Sequence, residues 1–270
     1  MWTIPRIGLP WKSERTGAIL RRVDGYPITI DGETRRVRNA GELKIALDVL
    51  QGSRDREVLE QLAPHLAEVI AAPEGLDAVL KSLSVEDQVF LLESVAPQLP
   101  ALLRETRWLR DILAWTAARE VEEALVRGLG RDGLRVLIQD AEDLAEVLEW
   151  VYGGVDAAVL ETLGPGEVRR LIRSGADLAE VLTNVDADAK SWVLDAVGWE
   201  RAATLLRDGR DLAYLVRALP PGLAGRLLDE LGAERVAELI GNADDWRYLV
   251  DRLETKEAEH LYALLGLGAR

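Results

Sequence analysis

Four aspartates fix the register of the chain. Asp143, Asp177, Asp211 and Asp245 stand 34 positions apart, and Gly130, Gly164, Gly198, Gly232 and Gly266 keep the same step. The apolar pairs Leu137-Ile138, Leu171-Ile172, Leu205-Leu206 and Leu239-Ile240 fall between them in phase. A fixed period of this length is the signature of stacked helical units, none large enough to bury its own face, so that the stack carries the core. The spacing therefore predicts an α-solenoid. In such a chain, length counts units and puts no ceiling on one core.

The pattern continues toward the N-terminus with less regularity. Leu43, Leu76, Leu109, Leu144, Leu178, Leu212 and Trp246 form one column with steps of 33, 33, 35, 34, 34 and 34, which makes seven units. A second column runs from Leu62-Ala63 and Val95-Ala96 through Leu129-Gly130 to Leu265-Gly266. Around Asp177 the apolar spacing predicts three short helices per unit. Val168, Leu171 and Ile172 give one face, Leu178, Val181, Leu182 and Val185 a second, and Ala189, Val193 and Val197 a third. Breaks are expected at Ser174-Gly175, Asp186 and Gly198. Helices of two to three turns are not stable alone, so their order must come from packing between units. Asp143 and Asp177 read as N-caps, with Glu146 and Glu180 three residues on closing a capping box. Ser84 with Asp87, and Pro165 with Glu167, mark further helix starts.

Residues 1–38 read as a separate region ahead of the helical repeat of 39–270. Trp2, Ile4, Ile7, Leu9 and Trp11 are punctuated by Pro5 and Pro10, which favour an extended arm over a helix. Apolar side chains of this size gain from burial, so Trp2 and Trp11 are expected to pack against the first units, a second copy or a partner. Ala18 to Val23, Tyr26 to Ile30 and Glu33 to Arg38 are β-rich runs separated by Asp24-Gly25 and Asp31-Gly32. Two hairpin turns in succession predict a three-stranded β-meander that caps the first unit or offers an edge for pairing.

Charge and motifs exclude several classes of chemistry. The net charge is −14, with eight Lys/Arg against four Asp/Glu in residues 1–38 and 25 against 43 in the remainder. An acidic body of this kind does not neutralise a phosphate backbone, so no nucleic-acid partner is expected. The chain has no cysteine, which removes disulfides, thiolate metal sites and a cysteine nucleophile together. His65 and His260 lie almost six units apart, too far for a shared metal site or a hydrolytic triad. Asp186-Ala-Asp188 and Asp244-Asp245 lack the glycine and closing glutamate of a calcium loop. Gly128-Leu129-Gly130-Arg131-Asp132-Gly133 has the spacing of a dinucleotide loop but no strand before it. No catalytic residue, metal or cofactor is predicted. There is neither a signal-peptide pattern nor a long apolar run, so the expectation is no membrane and a cytoplasmic place, or one within a virion or other assembly.

The stacked three-helix units resemble the armadillo and HEAT-type solenoids, with a shorter period. Their period is also similar to that of the transcription activator-like effectors, whose paired specificity residues between helices are missing here. The solenoid resemblance implies protein–protein interaction along an extended surface. The leading expectation is a non-enzymatic scaffold or adaptor that binds a protein partner or itself. Alternatives are a structural subunit of a virion, secretion apparatus or filament joined through the arm, and a regulatory subunit of an enzyme complex. The binding face is expected where the repeat stops repeating, on the outer side of the middle helix. That face carries Glu146, Glu149 and Trp150, then Glu180, Thr183 and Asn184, then Tyr214, Arg217 and Ala218, then Tyr248, Asp251 and Arg252. Aromatic residues and arginine are the usual interface anchors. Trp150, Tyr214, Arg217, Tyr248 and Arg252, with Trp2 and Trp11 of the arm, are thus the candidate partner-binding residues, the alternative being that the aromatics cover neighbouring loops.

Overall fold

In a computed structural model, residues 24–267 are described except Gln51, Ser53, Ala117, Gly153, Arg252 and Glu254. The described chain opens with an antiparallel hairpin, β1 (Tyr26–Ile30) and β2 (Glu33–Val37), in the register Tyr26 to Val37 through Ile30 to Glu33. Asp31 and Gly32 both take positive φ, 53° and 81°, as the tight turn requires. Among the described residues the sheet has two strands, and the first run of the expected three, Ala18–Val23, lies outside them. The Thr29 amide donates to Gln61 Oε1 at 2.8 Å, Gln61 Nε2 donates to the Thr29 carbonyl at 3.0 Å, and Pro27 has no N–H to offer. Gln61, in the helix Asp55–Leu62, thus ties the hairpin to the first helices.

The rest is mainly helical. The helices are α1 (Ala40–Leu50), α2 (Asp55–Leu62), α3 (Leu66–Val69), α4 (Pro73–Leu80), α5 (Val85–Val95), α6 (Leu99–Leu102), α7 (Thr106–Leu113) and α8 (Arg119–Leu137). They continue as α9 (Ala141–Trp150), α10 (Val155–Leu163), α11 (Pro165–Leu171), α12 (Gly175–Thr183), α13 (Ala187–Val197) and α14 (Trp199–Leu205). The last are α15 (Gly209–Ala218), α16 (Pro221–Leu239), α17 (Ala243–Val250) and α18 (Thr255–Leu264). Helices α9, α12, α15 and α17 therefore begin 34 residues apart. The turn after the second helix is made by a glycine at positive φ, Gly164 at 80° and Gly198 at 89°. The same turn bends α8 at Gly130 and α16 at Gly232. Earlier in the chain that column holds Ala63 and Ala96. A Cβ disfavours the left-handed region, and there Ala-Pro runs the corner through short 3-10 turns, Ala63–His65 and Ala96–Gln98.

Packing is local in sequence, between helices in equivalent positions. Helix α1 meets α4, α7 meets α9, and α9, α12, α15 and α17 meet in succession. Likewise α5 packs on α8, α8 on α10, and α16 on α18. Leu43, Leu76, Leu109, Leu144, Leu178 and Leu212 are all buried, each burial being worth about 1.5–3 kcal/mol. Trp246, the last of that column, is half-buried, its ring edge-on to Tyr262 at 5.6 Å.

The aspartate column caps helices differently from the expectation. Asp140, Ser174, Asp208 and Asn242 are the N-caps, accepting from the amides of Asp143, Asp177, Asp211 and Asp245 at 3.0–3.1 Å. The repeated aspartates are the third helical residues, and their carboxylates reach back. Asp143 Oδ2 accepts from the Gln139 amide, Asp177 Oδ2 from Arg173 and Ser174, and Asp211 Oδ2 from Arg207. Ser174 and Asp177 complete a capping box. Glu146 does not reach back but takes a hydrogen bond from Arg110 of the preceding unit at 3.0 Å. Ser84 caps α5 as expected, accepting from the Asp87 amide at 3.3 Å.

The corner glycine gives a direct test. Gly198 has open space where a Cβ would stand but sits at φ 89°. Gly198→Ala should therefore lower the unfolding free energy by about 1 kcal/mol or more through backbone strain alone. Gly222→Ala, inside α16 with equally open space, should leave stability unchanged or raise it by about 0.4–1 kcal/mol. Urea denaturation followed by circular dichroism distinguishes the two.

Candidate interaction face

The outer side of the first helices is built by subtraction. Leu178 and Leu212 point into the core, and residues two and five positions on, Glu180 and Thr183, then Tyr214 and Arg217, emerge on the solvent side. Trp150 is 39% exposed and Tyr214 50%. Tyr248 is half-buried, and its ring meets that of Tyr214 edge-on at 5.7 Å. Arg217 is exposed one turn beyond Tyr214 on α15. The structure thus joins Tyr214, Arg217 and Tyr248 into one patch. Trp150 lies apart at the end of α9, near the exposed Tyr152. Arg252, Trp2 and Trp11 are outside the described residues. An aromatic covering its neighbours does occur in the series: Trp115 Nε1 donates to Asp77 Oδ1 at 2.8 Å, and Lys81 sits over its ring.

Between α12 and α15 the patch opens into a groove of about 460 Å³. Helix α12 contributes Ala176, Ala179, Glu180 and Thr183, and α15 contributes Tyr214, Arg217 and Ala218. Lys190 of α13 closes one end, its Nζ donating to the Ala218 carbonyl at 2.6 Å. Burial lowers the pKa of this amine, with Asp186 opposing.

Lys190 is a residue the sequence reading missed, although its column carried the signal. Gln88, Glu122, Asp156 and Lys190 stand 34 apart in the first turn of successive second helices. Three of them tie one unit to the next. Glu122 Oε2 accepts from the Tyr152 amide at 2.5 Å, Asp156 Oδ2 from the Asp186 amide at 2.7 Å, and Lys190 supplies the Ala218 carbonyl. Gln88 turns instead to the Leu80 and Leu83 carbonyls of its own unit. A second set reaches backward from the third helices: Gln98 to the Ile70 carbonyl, Arg201 to Ile172 and Arg235 to Leu206. All of these satisfy groups that helix ends leave open.

The acidic cleft of Asp156, Asp186, Asp188 and Glu161 beside Trp192 is accounted for in the same way. Asp156 spends both oxygens on backbone amides, and Asp186 Oδ2 accepts from the Gly154 amide at 2.9 Å. Among the described residues no cluster of His, Asp or Glu is placed to hold a metal ion, and no helix is long and apolar enough to cross a membrane. No protein-family model, curated protein sequence or solved structure shows a significant match to the chain.

Glu122 yields a pH prediction. Its carboxyl is buried, Oε1 has no partner among the described residues, and burial pushes its pKa from 4.5 up to about 7 against the pull of the Tyr152 amide. The folded state then holds a proton that the unfolded state has released between pH 4.5 and 7. This group's contribution is fully present below pH 4.5, is lost as pH rises through 7, and stays lost above it. Glu122→Gln, neutral at every pH, should match the wild type at about pH 4.5 and exceed it at about pH 8 by up to about 3 kcal/mol. Chemical denaturation of both proteins at the two pH values checks this.

Proposed function

We propose that the chain is a non-enzymatic protein-interaction scaffold, an α-solenoid of seven three-helix units in the manner of armadillo and HEAT proteins. The recurrence of helix starts every 34 residues and the successive packing of α9, α12, α15 and α17 support the architecture. The observation that carries the function is the patch of Tyr214, Tyr248 and Arg217 on the outer side of the first helices, with Trp150 on the same face. Aromatic rings lose little side-chain entropy on docking and supply large contact areas, and arginine adds planar hydrogen bonding, as interface anchors do. Exposed as they are, Trp150 and Tyr214 hold little of the stack together. The triple variant Trp150→Ala, Tyr214→Ala, Tyr248→Ala should keep its helical circular dichroism and lose the proteins that the intact chain retains in affinity capture. Retention of the same proteins by the variant overturns this assignment of the binding face.

A second reading, a subunit joined to others near its N-terminal end, is favoured by one observation. Ile45 and Val49 on α1 are 64% and 59% exposed, and Val49 lines a cleft of about 320 Å³ with Ile28, Ile30, Ala46 and Leu50. The cleft is also lined by Asp31, Glu33 and Arg35, and adjacent exposed aliphatics beside a polar rim of this kind are a feature of contact surfaces. On this reading Ile45→Asp with Val49→Asp dissociates an assembly seen by light scattering, and on the scaffold reading the mass is unchanged.

A further inference from the structure

We propose that the groove between α12 and α15 docks an extended acidic segment of a partner protein, its carboxylate on Arg217 and Lys190 and an adjacent apolar side chain on Ala179 and Ala218 against Tyr214. This rests on the scaffold reading and adds the chemistry of the partner.

Charge marks the site. On α1, α4 and α7 the cations are spent within the chain: Lys44 on Asp48, Lys81 on Asp77, Arg107 on Glu105, and Arg110 on Asp111 and Glu146, whereas the exposed Arg210 and Arg217 of α15 have no ion pair among the described residues. Arg217 is exposed and makes no hydrogen bond or ion pair among the described residues. A free guanidinium on a chain of net charge −14 offers a planar fork that matches a carboxylate. Lys190 stands at the same end, because its bond to Ala218 fixes it at the C-terminus of α15, and an ammonium keeps two more N–H donors after one is used.

The remaining walls set the rest of the ligand. Ala176, Ala179 and Ala218 leave the floor low enough for a side chain, and Tyr214 is braced by Tyr248. Glu180 also lines the groove, in the register of Tyr214 and one turn before Thr183 and Arg217. It repels an anion from that end, so the bound segment has a direction: apolar group toward Tyr214, acid toward Arg217. A polyphosphate backbone would carry charge past Glu180 and on to Glu146 and Glu149, which a single carboxylate avoids.

The test is selection of short random peptides displayed on a carrier against the intact chain. Expected are enriched peptides that place Asp or Glu beside an aromatic or aliphatic residue, whose affinity falls about tenfold or more with Arg217→Glu and recovers in part with Arg217→Lys. Circular dichroism should be unchanged, since Arg217 has no polar partner among the described residues to lose. Peptides without acids, peptides indifferent to Arg217→Glu, or no enrichment at all overturn the proposal. Peptides that need Trp150 and not Arg217 overturn it while leaving the scaffold reading intact. Light scattering covers the remaining occupant: an oligomer that Arg217→Glu dissociates makes the partner a second copy and overturns the proposal as well.

Discussion

Burial of one leucine column between neighbouring units is the interaction on which the molecule depends. Helices of seven to eleven residues, such as α11 and α13, cannot hold their shape in water. Each gains its apolar cover from helices near it in sequence: α11 and α13 pack on each other, and α9, α12 and α15, which bury Leu144, Leu178 and Leu212, meet in succession. Contacts are local in sequence, so each of these helices is held mainly by others close to it along the chain. The inner side of each first helix is committed to the core, and most of its outer side is not.

A stack of short helices has many ends, and every end leaves backbone donors or acceptors without partners. The polar residues between units answer this, and their charge follows the backbone group they meet. Glu122 and Asp156 face amides and accept from them, whereas Lys190, in the same column, faces the Ala218 carbonyl and donates. Arg201 and Arg235 donate to carbonyls at the ends of third helices for the same reason. A column can thus pass from carboxylate to ammonium while keeping one structural role. The fit is incomplete at Glu122, where the second oxygen is buried without a partner among the described residues and the carboxyl holds its proton more tightly.

How much of this is legible in the sequence follows from the range of each signal. The period, the helix breaks and the Asp31-Gly32 turn rest on residues that act where they stand, and they can be read directly. The capping role expected of Asp143 and Asp177 falls three residues out of place. Asp140 and Ser174 are equally good caps, and aspartate suits both the cap and the third position. The bonds between units join residues 28 to 30 positions apart and leave no local trace, although the polar column itself repeats. The tie from Gln61 to β1 is beyond reach for the same reason. On the candidate face, Tyr214, Arg217 and Tyr248 are legible because they break the repeat on one helix face. Lys190 belongs to another helix and joins them only in three dimensions.

The groove itself is a product of that variation. Trp150, Asn184 and Ala218 occupy one column, six residues after the buried leucine. Where α9 places a tryptophan, α15 places an alanine, and the missing volume lets the groove form against α12. In the column of Glu146 and Glu180, α15 carries Tyr214, and in that of Glu149 and Thr183 it carries Arg217. Tyr214 and Arg217 thereby give the groove an aromatic wall and a cation where earlier first helices carry Glu146, Glu149 and Glu180. Groove and core draw on different residues of the same short helix, Tyr214 and Arg217 for the one and Leu212 for the other.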